Sequence, residues 1–570
     1  LTAELRLWQM EFQRRVGQGR LSELVGKPGL GHDKMARTLG LYASAERAYA
    51  TLDAYSKQSL DSYAAGVNAY LGANATLPLE MQLLGVDPGN IAPWRPADSL
   101  VWGKLMALEL SGNLKDEMLR YRLMGAAGMP FARVQEVVAP FDTDRFPTVL
   151  TAEDLQTTDL RNHLGTVDAA AAEPSEEALA FYKSYTGNVS GAAGGAAGTY
   201  NGLPALDPSQ RDSVESLAAS VKTSAMLPFH LLRGRSSNGE DGGGQVGNSH
   251  AASNNWVVHG NRTTSGMPLL ANDPHLMLTA PSIWIAAHLQ VVAAKDKTQH
   301  QHSKQGEKNM DVWGASFAGV PGIVIGRNEH IAWGVTNTGV DIQDLFVMEE
   351  RHAGKQYRWK GAWMDYDTRT ETIRVKGESD PVELVVRAGK SGVVISDDED
   401  VAETLGMPRR VFRMNAKPLA LRWASIDPDI PDGSGAAFMH INRAETFEEF
   451  RAALRPYVAP AQNFIFADTS GNIGYQMPGF VPRRAPGHTG RYPIAGDGRF
   501  DWKLEGNATA PASVPFDHMP RAFNPPRGFI ASANNKVTPP GGVYPKKGYV
   551  LSHDWDGSNM GYRSRRITDM

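Results

Sequence analysis

Ser253-Asn254-Asn255-Trp256-Val257-Val258, running on to Leu269-Leu270-Ala271-Asn272-Asp273-Pro274-His275, is the most informative stretch of the chain. It reads as short strands, with apolar residues in runs of two or three broken by Gly, Asn and Pro. Alone, a serine before two asparagines is a turn signal. Its position is less ordinary, because it directly follows a spacer of small residues that includes 191–198 (GAAGGAAG) and 238–248 (NGEDGGGQVGN). Such runs bury no core. A structureless loop of that length inside a compact domain is rare, so 164–252 reads as a linker or as a spacer destined for removal, with 213–233 a candidate short helix within it.

The two sides of the spacer differ. On the amino-terminal side, Leu5, Trp8, Phe12 and Val16 recur at helical spacing, with Arg14 and Arg15 near the end and Gly17 and Gly19 as the stop. Helical patterns continue through 45–72, 97–124 and 131–138, so 1–163 is a helix-rich piece. On the carboxyl side, Ile283–Gln290 and Gly319–Val335 read as strands and 371–395 as a hairpin-rich excursion. Helices near 446–454 and over 417–424 interrupt a β-rich piece, 253–570. The fold class expected is α+β, in two functional pieces without internal repeats.

The bulk numbers exclude several functions. With 570 residues the chain exceeds a single small domain. A net charge of −4 leaves no electrostatic footprint for nucleic acid. No apolar run approaches the roughly 18–20 residues that span a bilayer. The chain has no cysteine, which removes disulfides, thiolate metal sites and a Cys nucleophile. A G-x-S-x-G elbow and an H-E-x-x-H helix are both missing, so the usual serine-hydrolase and zincin readings lack support. His300 and His302 read as part of a solvated loop, Asp427, Asp429 and Asp432 as a turn, and Asp397–Asp400 as a short acidic loop.

Several motifs in order point one way. They are Leu7-Trp8-Gln9-Met10-Glu11 with Arg14-Arg15 and Gly19-Arg20-Leu21, then Ser253–Trp256, then Gly326-Arg327-Asn328 with Ala332-Trp333-Gly334. Gly471-Asn472-Ile473-Gly474-Tyr475 and Gly528-Phe529-Ile530 leading to Asn534-Asn535 complete the set. Through these the chain resembles the penicillin acylase family of N-terminal-nucleophile hydrolases, which includes cephalosporin and N-acyl-homoserine lactone acylases. The resemblance implies an αββα sandwich, two stacked antiparallel sheets covered by helices, and a precursor cut before Ser253 into a heterodimer of two chains. A serine hydroxyl needs a base, and a freed α-amino group on the same residue supplies one, its ordinary pKa of about 7.7–8.0 lying near working pH. The family usually has Gly before the nucleophile; here it is Ala252.

By match to the family, the side chain of Asn534 and the backbone N–H of Asn337 form the oxyanion donors, and Arg563 orients the site. His275 falls at a family position beside the nucleophile's amine, Gln in penicillin G acylases and His in cephalosporin and homoserine lactone acylases. The resemblance also implies a structural Ca²⁺ held by Glu117, Asp341 and Asp344, with backbone oxygens of Gln343 and Pro482. A further family aspartate has no counterpart at 544–549. The implied activity is hydrolysis of an N-acyl amide, of homoserine lactones or β-lactams, through a Ser acyl-enzyme. The acyl pocket is expected from Leu276, the Trp313–Val320 turn and the helix around Met106–Leu110. A non-catalytic binding protein and a peptide-directed hydrolase of the same fold are the alternatives. Relative to the family the chain reads as shortened at both ends, and a periplasmic or secreted location is the family's expectation.

Overall fold

The computed structural model describes residues 1–73, 77–111, 113–125, 129–137, 147–155, 174–187, 252–276, 279–291, 310–406, 417–506, 510–539, 551 and 561–570. The opening helix, Thr2–Gln18, ends on Gly19 at φ 64°, a left-handed cap whose N–H bonds Arg15 and Val16 carbonyls. Its buried stripe is Leu7, Met10, Phe12 and Val16, whereas the expected Leu5 is 61% exposed. Arg14 and Arg15 turn inward because Glu11 is buried between them, accepting from their Nε atoms at 2.7 and 2.6 Å. The pattern over 45–72 breaks into Leu41–Thr51 and Ala54–Gly72, with Asp53 capping the second through Ser56 N. That over 97–124 becomes Pro96–Leu110 and Asn113–Gly125, followed by Phe131–Val137.

The expectation of an uncored stretch from 164 onward is corrected at its start. Glu176–Gly187 is a helix whose Ala178 and Tyr182 are fully buried. Tyr182 stacks on Phe131 with ring centroids 4.8 Å apart and also meets Tyr492. One heptad-length apolar face is enough to dock against the core, and the Ala/Gly runs beside it hide it in composition. The candidate helix 213–233, spacer residues 164–173 and 188–251, and His300 and His302 lie outside the described residues.

The second piece is built on sheets. A seven-stranded antiparallel sheet runs Arg521–Phe523, Ile473–Gln476, Gln462–Asp468, Ile331–Asn337, Ile325–Arg327, Met310–Phe317, Trp284–Val291. One face meets a three-stranded sheet in the order Phe529–Ser532, Ala252–Val258, Leu269–His275. The other face carries Ser434–Ile441 and Phe447–Leu454, packed through Trp333, Phe447, Phe450, Phe464 and Phe466. Asn272 ties the two sheets together: Oδ1 accepts from Val335 N at 2.9 Å, while Nδ2 donates to Val335 O and Asn254 O. Gly334 makes this contact possible, since a Cβ there would stand 2.8 Å from Asn272 Cβ.

A further six-stranded sheet contains the 371–395 hairpin, as Asp367–Ile373 paired with Val382–Gly389. It also contains Leu419–Trp423, which corrects the helix expected over 417–424. All five residues of that strand are buried, Arg422 among them through its ion pairs to Asp427 and Asp501, so neither face is solvated and the alternation that marks a half-buried strand is absent. The helix expected near 446–454 forms as Phe447–Leu454, with Thr446 as its cap. No helix among the described residues is long and apolar enough to cross a membrane.

Candidate active site

Ser253 is buried on the central strand of the three-stranded sheet, where it pairs with Pro274. Its backbone N–H donates to Asn534 Oδ1 at 2.5 Å. Asn534 follows the neighbouring strand at φ 63°, a left-handed conformation that Asn tolerates better than most residues. Its Oδ1 also accepts from Arg563 Nη2 at 3.2 Å, and its Nδ2 donates to Asn337 O at 2.9 Å. Two N–H groups facing the oxygen and a carbonyl facing the nitrogen fix which way the amide points. One hydrogen of Nδ2 is used by that carbonyl, and the second has no acceptor among the described residues.

Arg563 Nη1 donates to Ser253 O at 2.8 Å and to Asn254 Oδ1 at 2.7 Å. The short helix Tyr562–Asp569 turns Arg563 inward while Arg565 and Arg566 stay exposed. Burial lowers the pKa of its guanidinium, with the Asp273 charge opposing. Asn337 meets this group through its carbonyl, and its side chain reaches the first piece, Nδ2 donating to Leu110 O at 2.9 Å.

His275 sits across the strand pair from Ala252, the residue before the serine. Its ring is nearly half exposed and turned to Asp273, with Nε2 2.6 Å from Oδ2. The structure therefore brings together Ser253, Asn534, Arg563 and Asn337, and directs the His275 ring to a surface carboxylate beside them. Among the described residues no carboxylate, imidazole or amine side chain hydrogen-bonds Ser253 Oγ.

A cavity of about 140 Å³ opens at Ser253, walled by Met106, Leu110, Leu276, Trp284, Phe317 and Val320. Trp284 and Phe317 stack at 4.3 Å. Trp313, expected here, instead lies on the open side of its strand, 46% exposed beneath the Arg327 guanidinium. Gly103 and Lys104 also border the cavity; Lys104 Nζ is buried and held by Asp432 Oδ2 at 2.5 Å and Ser425 O at 2.6 Å. A larger cleft of about 1000 Å³, lined by Arg14, Arg37, Arg47 and Arg369, does not include Ser253. The smaller cavity is the relevant one, because Ser253 lines it.

The oxygens matched to a calcium site also come together, but around nitrogen donors. Arg484 Nε donates to Asp344 Oδ1 and Oδ2 at 3.0 and 2.8 Å, and Nη2 lies 2.7 Å from Asp341 Oδ1. Asn113 Nδ2 donates to Asp341 Oδ1 at 2.5 Å and to the Gln343 carbonyl at 2.7 Å. Glu117, fully buried, accepts from Leu345 N at 3.1 Å; burial and the neighbouring Asp344 and Asp341 charges push its carboxyl well above the usual range. Arg484 and His488 hold Asp344 below that range, against its burial. Pro482 is buried nearby in a bridge to Ser513. Among the described residues no group of three or more His, Cys, Asp or Glu side chains has the arrangement of a metal site. With Gln343 O and the Asp341 and Asp344 carboxylates accepting N–H bonds, the donor set as it stands does not fit a calcium ion. Positions 544–549 lie outside the described residues.

The penicillin amidase family profile matches residues 1–570. The chain belongs to this family. The acyl-homoserine lactone acylase QuiP of Pseudomonas aeruginosa is 29% identical over 560 residues, 96% of this chain and 53% of that protein. The penicillin acylase 2 proenzyme of Pseudomonas sp. strain SE83 is 27% identical, over 94% of this chain and 55% of that protein. Penicillin G acylase of Escherichia coli is 25% identical, over 97% and 57%. The chain thus spans about half the length of the curated relatives it matches. A thermostable penicillin G acylase from Alcaligenes faecalis overlaps 50% of this chain and 45% of its own at 25% identity, with a TM-score of 0.40.

In this penicillin amidase family chain, one supporting group escaped the motif reading. Asn463, fully buried, donates from Nδ2 to Thr336 Oγ1, Ser532 Oγ and Asn337 O at 3.0, 3.1 and 3.2 Å. Its Oδ1 accepts from the Tyr475 hydroxyl at 2.6 Å. Four strands thereby converge beneath the Asn337 carbonyl that Asn534 uses. The one sequence signal is the polar pair Gln462-Asn463 opening the apolar run Phe464-Ile465-Phe466.

Proposed function

We propose that this chain is a self-processing amidohydrolase in which Ser253, freed as an N-terminus, cleaves the amide of an N-acyl substrate through an acyl-enzyme. The observation that carries this reading is the hold on Ser253 N, which Asn534 Oδ1 accepts at 2.5 Å, next to an apolar cavity that includes the serine. Once free, that nitrogen takes the proton of Ser253 Oγ directly or through a water, a role that no side chain among the described residues fills. Oγ attacks the acyl carbonyl. The second hydrogen of Asn534 Nδ2 and the N–H of Asn337 stabilise the oxyanion, collapse expels the amine with the returned proton, and water then releases the acid. Arg563 keeps Asn534 Oδ1 and the Ser253 carbonyl fixed during these steps. His275 faces the strand position that Ala252 vacates on cutting, which leaves its ring free to turn to the new amine or its water.

The apolar walls favour an apolar acyl group, and the names of the relatives favour homoserine lactone amides over penicillin G. The layered sheets with helices outside are consistent with an αββα sandwich assembled from both pieces into a heterodimer, and a periplasmic or secreted setting is part of the same reading. The test is a chain-length series of N-acyl-homoserine lactones run beside penicillin G and a cephalosporin, with Ser253→Ala as control. A kcat/KM that rises with acyl length to an optimum and vanishes in the control supports the proposal. Preference for phenylacetyl amides would overturn the substrate class, and turnover by the control would overturn the mechanism.

A further inference from the structure

We infer that the guanidinium of Arg484 is the resident cation of the Glu117, Asp341 and Asp344 cluster, so that this chain joins its two pieces there without calcium. The side chain is fully enclosed, 4% exposed beside Asp341 at 3% and Asp344 at 0%. Nε takes both oxygens of Asp344, and Nη2 spans the Asp341 carboxylate at 2.7 Å and its carbonyl at 3.4 Å. Calcium takes six to eight oxygens at roughly 2.3–2.6 Å. A guanidinium centred on the same carboxylates excludes it by volume and by charge.

The surroundings close over the arginine and engage its Nε and Nη2, while Nη1 has no hydrogen-bond partner among the described residues. Gly490, at φ 74°, closes over it, and a Cβ there would stand 2.3 Å from Asp341 Oδ2 and 2.7 Å from Arg484 Cζ. Trp502 Nε1 donates to Asp344 Oδ2 at 2.5 Å, and His488 Nε2 lies 3.1 Å from Asp344 Oδ1. Asn113 Nδ2, on the first piece, supplies another donor to Asp341 and to the Gln343 carbonyl. Donors therefore surround oxygens that a metal would need bare. An arginine suits this place because its charge is permanent and its planar fork matches carboxylates two at a time.

The cluster joins Asn113 and Glu117 of the helix Asn113–Gly125 to the strand Gln343–Val347 and to Arg484. It is a contact between the two pieces that needs no exchangeable ion. The inference does not depend on cutting or hydrolysis, and neither is its readout.

The experiment measures the calcium content of the purified full chain by mass spectrometry, and its melting temperature in EDTA and in millimolar calcium. Calcium far below one ion per chain and the same melting temperature in both support the inference. One calcium per chain, or a melting temperature that falls in EDTA, overturns it. Arg484→Gln should melt well below the parent in EDTA and recover with calcium, since the carboxylates then lack a cation. An Arg484→Gln chain as stable as the parent in EDTA would also overturn it. Should that variant not fold, the metal content and EDTA response of the parent decide alone.

Discussion

Replacing Gly103 with leucine should shorten the acyl chain that the Ser253 cavity accepts. Gly103 lies inside the helix Pro96–Leu110, where glycine costs about 0.5–1 kcal/mol relative to alanine. It borders the serine cavity of about 140 Å³, and a Cβ placed on it meets nothing within 4 Å. Gly103 is exposed at the cavity, so the core does not fill the space beside it and a longer side chain there extends toward the acyl path. A leucine side chain has four carbons, enough to displace three or so methylenes of a long acyl group. At about 0.8 kcal/mol per buried methylene, the loss is about 2–3 kcal/mol. That is about 30- to 150-fold in kcat/KM for long chains. Chains too short to reach Gly103 should keep their rates. The assay is release of the free amine across a homologous N-acyl series, with Gly103→Ala as a companion that should raise the melting temperature and shift the profile little. An unchanged chain-length optimum in a folded Gly103→Leu enzyme would refute the reasoning, because Gly103 would then face solvent rather than the acyl group.

Other outcomes follow from the same geometry. Asn534→Ala and Asn534→Gly should both lower kcat by about 10²–10³, as for a lost oxyanion donor. Both lose the hydrogen bonds to Ser253 N, Arg563 and Asn337 O, and the alanine variant should be less stable than the glycine variant by about a further 1–2 kcal/mol from its positive φ; a glycine variant of normal rate would contradict the role. Ser253→Cys should still be cut, since a thiol is the stronger nucleophile, whereas Ser253→Ala should stay whole on a gel. Burial lowers the His32 imidazole to about 4. The unfolded chain then binds the extra proton first, so this stability is present above about pH 6.5 and is lost as pH falls toward 4, on the order of 3 kcal/mol at most. His32→Leu should flatten that acid limb in urea melts, and an unchanged limb would contradict it.

The fold was legible where a single period dominates. The helices of the first piece show the 3.6-residue spacing, and their breaks fall at Asp53 and near Ser111, where a cap or a missing apolar residue ends it. Leu419–Trp423 was misread because burial on both faces erases alternation. Glu176–Gly187 was hidden by the small-residue runs beside it, although Tyr182 makes it part of the core. Within the site, Ser253 and Asn534 could be named from motif order, each in a stretch with its own signature, and Arg563 only by match to the family. Asn463, Thr336 and Ser532 could not, since their meeting is set by the register of strands over a hundred residues apart in part. Arg484 is one of two adjacent arginines, and its turning inward depends on the bridge to Trp502 rather than on local pattern.

The central claim is that a cut immediately before Ser253 creates the nucleophile and its base together. Intact-mass and amino-terminal sequencing of the active preparation test it most directly. The account predicts two polypeptides, the larger beginning Ser253-Asn254-Asn255-Trp256, and a single uncut polypeptide for Ser253→Ala. An active preparation made of one undivided chain, or one whose new terminus lies at any residue other than Ser253, would contradict it.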